Sequence, residues 1–157
     1  MFKEIVISSI FGLAIGQACF ATPTINQDKL NLAGTYQCQG NDSRDGKYKD
    51  AIIELILDSK NSDFAHNYGA YGYKFTGSDG SQYTGSVAAN KSSLAIYFKN
   101  TDHSNPGDQG VEIGTIDYKN GTQEKTVVGY HDFYYDPHYK GGGNGFETCI
   151  KQNDTGQ

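Results

Sequence analysis

The chain has 157 residues, with 18 acidic side chains against 13 basic ones and a net charge of −5. That acidity argues against nucleic acid or an anionic membrane as the main partner, because either needs clustered Lys and Arg. The length suits one domain, and one large enough to bury well over half of its unfolded surface without a dense disulfide framework.

Residues 1–21 read as a secretory signal peptide. Lys3 supplies a basic start, Ile5 to Gly16 is mostly apolar, and small residues follow, with cleavage expected after Ala21. The apolar run is too short for a bilayer span and lacks a basic stop-transfer flank, so no transmembrane segment is expected. The alternative is lipidation of Cys19, although Gly16-Gln-Ala-Cys19 keeps only the small residue Ala18 of a lipoprotein signal. The expected product is exported, periplasmic or secreted, and monomeric. Residues 22–32 are polar and aperiodic and read as a tether, with Leu30 and Leu32 dipping into the domain edge.

Strands follow over residues 33–152. The first is Thr35 to Gln39, ending before a turn at Asp45-Gly46. Tyr48 to Asp58 is the longest, with Ile53, Leu55 and Leu57 on one face and Ile52, Glu54 and Ile56 on the other. Residues 59–68 are loop-like, with one helical turn near Ser62 to His66. Ala70 to Thr76 places Tyr71, Tyr73 and Phe75 on one face and pairs through Ser78-Asp79-Gly80-Ser81 with Gln82 to Ala88. Leu94, Ile96 and Phe98 mark the next strand. Beyond a polar loop at 100–110 come Val111 to Tyr118 and Glu124 to Tyr134, flanking Asn120-Gly121, the strongest hairpin signal in the chain. Phe146 to Lys151 is the last strand, and 153–157 a polar tail.

No segment sustains a helical period, and the prolines fall outside strand interiors. The predicted fold is all-β: a single-domain, antiparallel, eight-stranded up-and-down barrel, with a β-sandwich as the alternative. Clear consecutive hairpins favour the barrel. Cys38 and Cys149 are the two cysteines left after the leader, and in an exported protein an even pair is most simply a disulfide. It would tie the first strand to the last, and the chain-entropy model gives about 4–5 kcal/mol for so long a loop. The alternative is two buried thiols.

Gly34-Thr-Tyr36 opening an eight-strand exported chain with linked ends resembles the lipocalin and avidin group of barrels. The resemblance implies that architecture and suggests ligand binding. It departs from the group in having Tyr36 where a Gly-x-Trp element has tryptophan, and in lacking the helix after the last strand.

The densest set of functional side chains is His131-Asp-Phe-Tyr-Tyr-Asp136-Pro-His138-Tyr139. His131, Asp136 and His138 are metal-ligand types, but strand alternation and the proline turn separate them, so a polar strand end is the better reading and no metal or cofactor is expected. Asn41 to Gly46 has a faint calcium-loop look but carries Ile52 at the twelfth position. The glycine run at 141–145 is followed by no Lys-Ser/Thr and is no phosphate cradle. Nucleophile signatures are absent, and scattered carboxylates cannot be brought together from sequence.

Tyrosine is the remaining signal: twelve, with no tryptophan. Such rings fill pleated surfaces, and they also line cavities and offer hydroxyls to a ligand. Tyr71 and Tyr73 on one strand, and Tyr134, Tyr135 and Tyr139 beside the glycine loop, are the candidate binding residues, the last three expected around one rim. No motif specifies a reaction. The expectation is a non-enzymatic protein holding a small molecule in the barrel or at its mouth. The alternative is a protein-interaction module, an inhibitor or effector, acting through loops and a tyrosine-rich surface.

Overall fold

The computed structural model describes residues 31–102, 107–120 and 125–153. The leader with Cys19, His103, Pro106, most of the turn after Asn120 and the polar tail from 154 lie outside them. Eight strands run β1 (Gly34–Asp42), β2 (Gly46–Leu57), β3 (Tyr68–Thr76), β4 (Gln82–Asn90), β5 (Ser93–Asn100), β6 (Gln109–Asn120), β7 (Lys125–Asp136) and β8 (Gly143–Lys151). Each pairs antiparallel with its neighbour in sequence, and β1 pairs with β8, giving a closed up-and-down barrel. Closure leaves no free sheet edge, the usual liability of an all-β chain, and it excludes the sandwich. Short 3-10 turns at Phe64–His66 and Tyr139–Gly141 interrupt the connections. No described helix is long and apolar enough to cross a membrane.

Cys38 stands directly opposite Cys149 in the β1–β8 ladder and is bonded to it, across 111 positions of chain. The seam that closes the barrel is therefore covalent. One register shift, between Cys38 and Gly40, is absorbed by β2 at Asp50, a non-glycine residue at φ 60°. Another lies between Asp117 and Tyr118, where Val128 is the extra residue of β7. Bulges of this kind turn a strand and change which side chains face inward.

Several strands run further than apolar alternation suggests. β1 reaches Asp42, β7 reaches Asp136 and β8 begins at Gly143. Their inward positions there are acidic or glycine, so the ladder continues after the hydrophobic signal stops.

The interior divides at the disulfide. On the side of the β2–β3 and β4–β5 connections, Ile53, Leu55, Val87, Leu94, Ile96 and Ile116 pack a dry core. Leu32, at 1% exposure, enters this end: its carbonyl accepts from the Tyr36 hydroxyl at 2.5 Å, and its N–H donates to the Tyr71 hydroxyl at 3.2 Å. The last residue of the expected tether is thus part of the core. The opposite end, ringed by the β1–β2, β3–β4, β5–β6 and β7–β8 connections, is built differently.

Candidate functional site: an acidic cavity

Every buried acid among the described residues lies toward this second end: Asp42, Asp108, Glu112, Asp132, Asp136 and Glu147. Strand register explains how three of them meet. Asp132 of β7 faces Glu147 of β8 directly and Gly114 of β6 on its other side, and Glu112 is the next inward position of β6. A Cβ at Gly114 would stand 2.6 Å from the Asp132 Cβ, so glycine there is what admits the carboxylate. Oxygens of Glu112, Asp132 and Glu147 all lie within 4.8 Å of one another. The three residues are 5%, 1% and 3% exposed.

Their donors are tyrosines. Tyr73 donates to Glu112 Oε1 at 3.3 Å and Tyr48 to Glu147 Oε2 at 2.7 Å. Nearer the opening, Tyr134 donates to Asp42 Oδ2 at 2.6 Å and Tyr83 to Asp108 Oδ2 at 3.0 Å. Asp136 Oδ1 accepts the backbone N–H groups of His138 and Tyr139. Gly145 leaves room for Tyr134, whose hydroxyl would lie 2.4 Å from any Cβ placed there. Glu147 Oε1 is 3.4 Å from Cys149 Sγ, a disulfide sulfur with no hydrogen to donate. Among the described residues no Lys, Arg or His forms an ion pair with the three central carboxylates.

Burial without a paired cation favours the protonated form of the three central acids. Desolvation, then the charges of Asp132 and Glu147, push Glu112 well above the carboxylate range. Desolvation and Glu147 push Asp132 up to about 9. Burial raises Glu147 to about 7 against the opposing Tyr48 bond. Asp136 rises to about 6 through burial and its contact with Asp108. The same burial raises Tyr73 and Tyr130 far above the ordinary phenol value. Near neutral pH Glu112 and Asp132 therefore keep protons that exposed carboxyl groups lose.

Glu112 and Glu147 form part of the lining of a cavity of about 400 Å³, open at the barrel end, whose walls include Tyr73, Phe75, Tyr83, Phe98 and Tyr134. This volume falls in the range of small-molecule pockets, and the lining combines aromatic rings with acidic and basic side chains. Acids with displaced pKa values are a further mark of one. A second cavity of about 380 Å³ lies at the other end, against Leu32, Phe64, Tyr71, Ile116 and Tyr118, and its lining contains no carboxylate.

Of the residues singled out from sequence, Tyr134, Tyr139 and Tyr73 line the acidic cavity. Tyr139, with Lys140, bonds Asp45 across the rim. Tyr135 points outward and is 53% exposed, while Tyr71 belongs to the opposite end. The structure does not gather His131, Asp136 and His138: His131 faces outward beside Asp117 at 3.3 Å, whereas Asp136 is buried at the rim. Sequence reasoning missed Glu112 and Glu147, and met Asp132 only as a member of the His131–Tyr139 segment. The available signal was that each shares its strand's inward phase with a core residue: Ile116, Tyr130 and Cys149.

The outer wall of the same strands is inverted. Ile113, Phe133 and Phe146 sit side by side across β6, β7 and β8, at 70%, 68% and 51% exposure, with Val111 and Tyr135 in the adjoining row.

Searches against family models, curated proteins and solved structures found no match for this chain. Its likeness to lipocalins and avidins therefore rests on the closed eight-stranded antiparallel barrel alone.

Proposed function

We propose that this is an exported, non-enzymatic binding protein that holds a small molecule in the open, acidic half of its barrel, in the manner of the lipocalin and avidin group. One observation carries the reading. The open half contains a cavity of about 400 Å³ with aromatic walls and a floor of buried carboxyl groups. Packing alone gives no reason for that floor, because buried acids without cations cost stability. The disulfide is consistent with export.

Native mass spectrometry of protein purified without denaturation tests this. A retained small molecule is expected, lost on denaturation and absent from Phe75→Trp, whose larger ring would occupy the cavity. No retained mass, together with no thermal shift across a chemically diverse compound panel, would overturn the reading.

A second reading is supported by the outer apolar face. Contiguous exposed apolar surface on a protein of this size marks an interaction site. Under that reading the chain is an inhibitor or effector engaging a protein through β6–β8, and Phe133→Glu, not Phe75→Trp, abolishes its activity.

A further inference from the structure

Resting on the cavity reading, we propose that the ligand is an organic cation whose ammonium head is seated by Glu112, Asp132 and Glu147 and whose apolar body lies between the aromatic walls above. Two independent features point there. The first is the spacing of the carboxylates. An ammonium group accepting no bonds and donating three, each about 2.8 Å long and tetrahedrally disposed, needs acceptors about 4.6 Å apart. Three acids from three adjacent strands bring one oxygen each within 4.8 Å of the others, so a single ammonium group can reach all three.

The second is unsatisfied polarity behind the cavity. The oxygens of Asp132 and Oε2 of Glu112 are buried with no donor beyond one another and the neighbouring Glu147 N–H, and the Tyr130 hydroxyl, on a residue 0% exposed, has no partner. That hydroxyl stands close enough for the charges of Glu147, Glu112 and Asp132 all to act on it. Glu112 and Asp132 can satisfy one another only by keeping a proton between them. Native interiors rarely leave such groups unmatched. A bound ammonium supplies the missing donors and the missing charge together.

The walls fit the rest of such a molecule. Phe75, Tyr83 and Phe98 stack edge to face along the cavity, at centroid distances of 5.7 and 5.6 Å. Aromatic faces attract cations as well as apolar groups. At the opening, Asp42 and Asp136 extend the negative lining outward. Lys140 at the rim is already engaged by Asp45, so it does not cancel that field.

Binding must compete with protons. The groups facing the cluster are Tyr48 from β2, Tyr73 from β3, and Tyr130 and Tyr134 from β7; higher in the mouth stand Asp42, Asp45, Asp79, Asp136, Tyr83 and Tyr139, with Lys47 and Lys140 as the two cations of the lining. The tyrosines are neutral throughout the working range, so the carboxyl groups carry the pH dependence. Affinity for a cation should rise with pH, and protons should be released on binding.

Isothermal titration with phenethylammonium, 2-phenylethanol, 3-phenylpropionate and calcium chloride provides the test. The ammonium is expected to bind at least about tenfold more tightly than the alcohol of the same frame. It should weaken from about pH 8 to about pH 5.5, and lose about tenfold or more in Glu112→Gln and Asp132→Asn. Circular dichroism of both variants controls for folding. Equal or tighter binding of the alcohol or the carboxylate, or a neutral or anionic compound retained in native mass spectra, would overturn the cation site while leaving the small-molecule reading intact. Calcium binding that needs Glu112, with no response to the amine or to putrescine and spermidine, would overturn it in favour of a metal site. No response to any probe, with no retained mass, would overturn both readings.

Discussion

The two halves of this barrel are made from the same eight strands and obey opposite rules. Between the disulfide and the Leu32 end, inward positions are Ile, Leu, Val and Tyr, and the polar groups are paired. Between the disulfide and the mouth, inward positions include six acids, some oxygens are unmatched, and the cavity is lined by carboxyl groups, which the cavity at the Leu32 end lacks. The contrast shows a division of labour. One half packs an apolar core that favours the closed barrel, and the other gives up some stability to keep acidic groups out of water.

The sharpest way to break that comparison is to delete core volume in the dry half. Ile53→Ala, at a residue 0% exposed, should cost about 2–5 kcal/mol by denaturant unfolding. If it costs no more than an alanine at Phe75 in the cavity wall, the division into halves is wrong. Next in size is the seam. Replacing Cys38 and Cys149 together by serine should cost about 2–4 kcal/mol without altering the far-ultraviolet dichroism. Unreduced folded protein with two alkylatable thiols would contradict the bond itself.

The acid half makes a prediction of opposite sign. Asp132 keeps its proton in the folded state up to about 9, whereas in the unfolded chain it loses it near 4. Between those values the folded state binds more protons, so unliganded stability falls as pH rises. Asp132→Asn should flatten that slope and raise the melting temperature at alkaline pH by several degrees, roughly 3–6 °C per kcal/mol for a domain of this size. A smaller effect is expected at the anchor: Tyr71→Phe leaves the Leu32 N–H without its buried acceptor and should cost about 1–2 kcal/mol. Smallest of all, Phe133→Glu on the outer wall should change stability by less than about 0.5 kcal/mol, isolating that face as a surface for contact, with no structural load.

The same division governs what could be read from the sequence. Strand count, closure and the Cys38–Cys149 link were legible because turn pairs and an even cysteine count are local or parity signals. In β2 and β3 the alternation of Ile53 and Leu55, or Tyr71, Tyr73 and Phe75, names the inward face correctly. In β6–β8 the alternation points the wrong way. Val111, Ile113, Phe133, Phe146 and Ile150 face outward, while Glu112, Asp132 and Glu147 face inward. The extra residue at Val128 also changes the phase of β7 midway, which no period-two pattern reports. The site was thus hidden where hydrophobicity and burial part company. Of the expected rim tyrosines, Tyr134 and Tyr139 share the cavity, but their neighbour Tyr135 faces outward, because adjacent strand residues point to opposite faces.

The central claim, that buried acids are retained at a cost in stability because they bind a cation, is tested most directly by melting wild-type protein and Asp132→Asn at about pH 8, each with and without phenethylammonium. The account predicts that the variant melts higher than the wild type when both are free, and that the amine raises the melting temperature of the wild type alone. A variant that melts lower when free, or that responds to the amine as the wild type does, would contradict it.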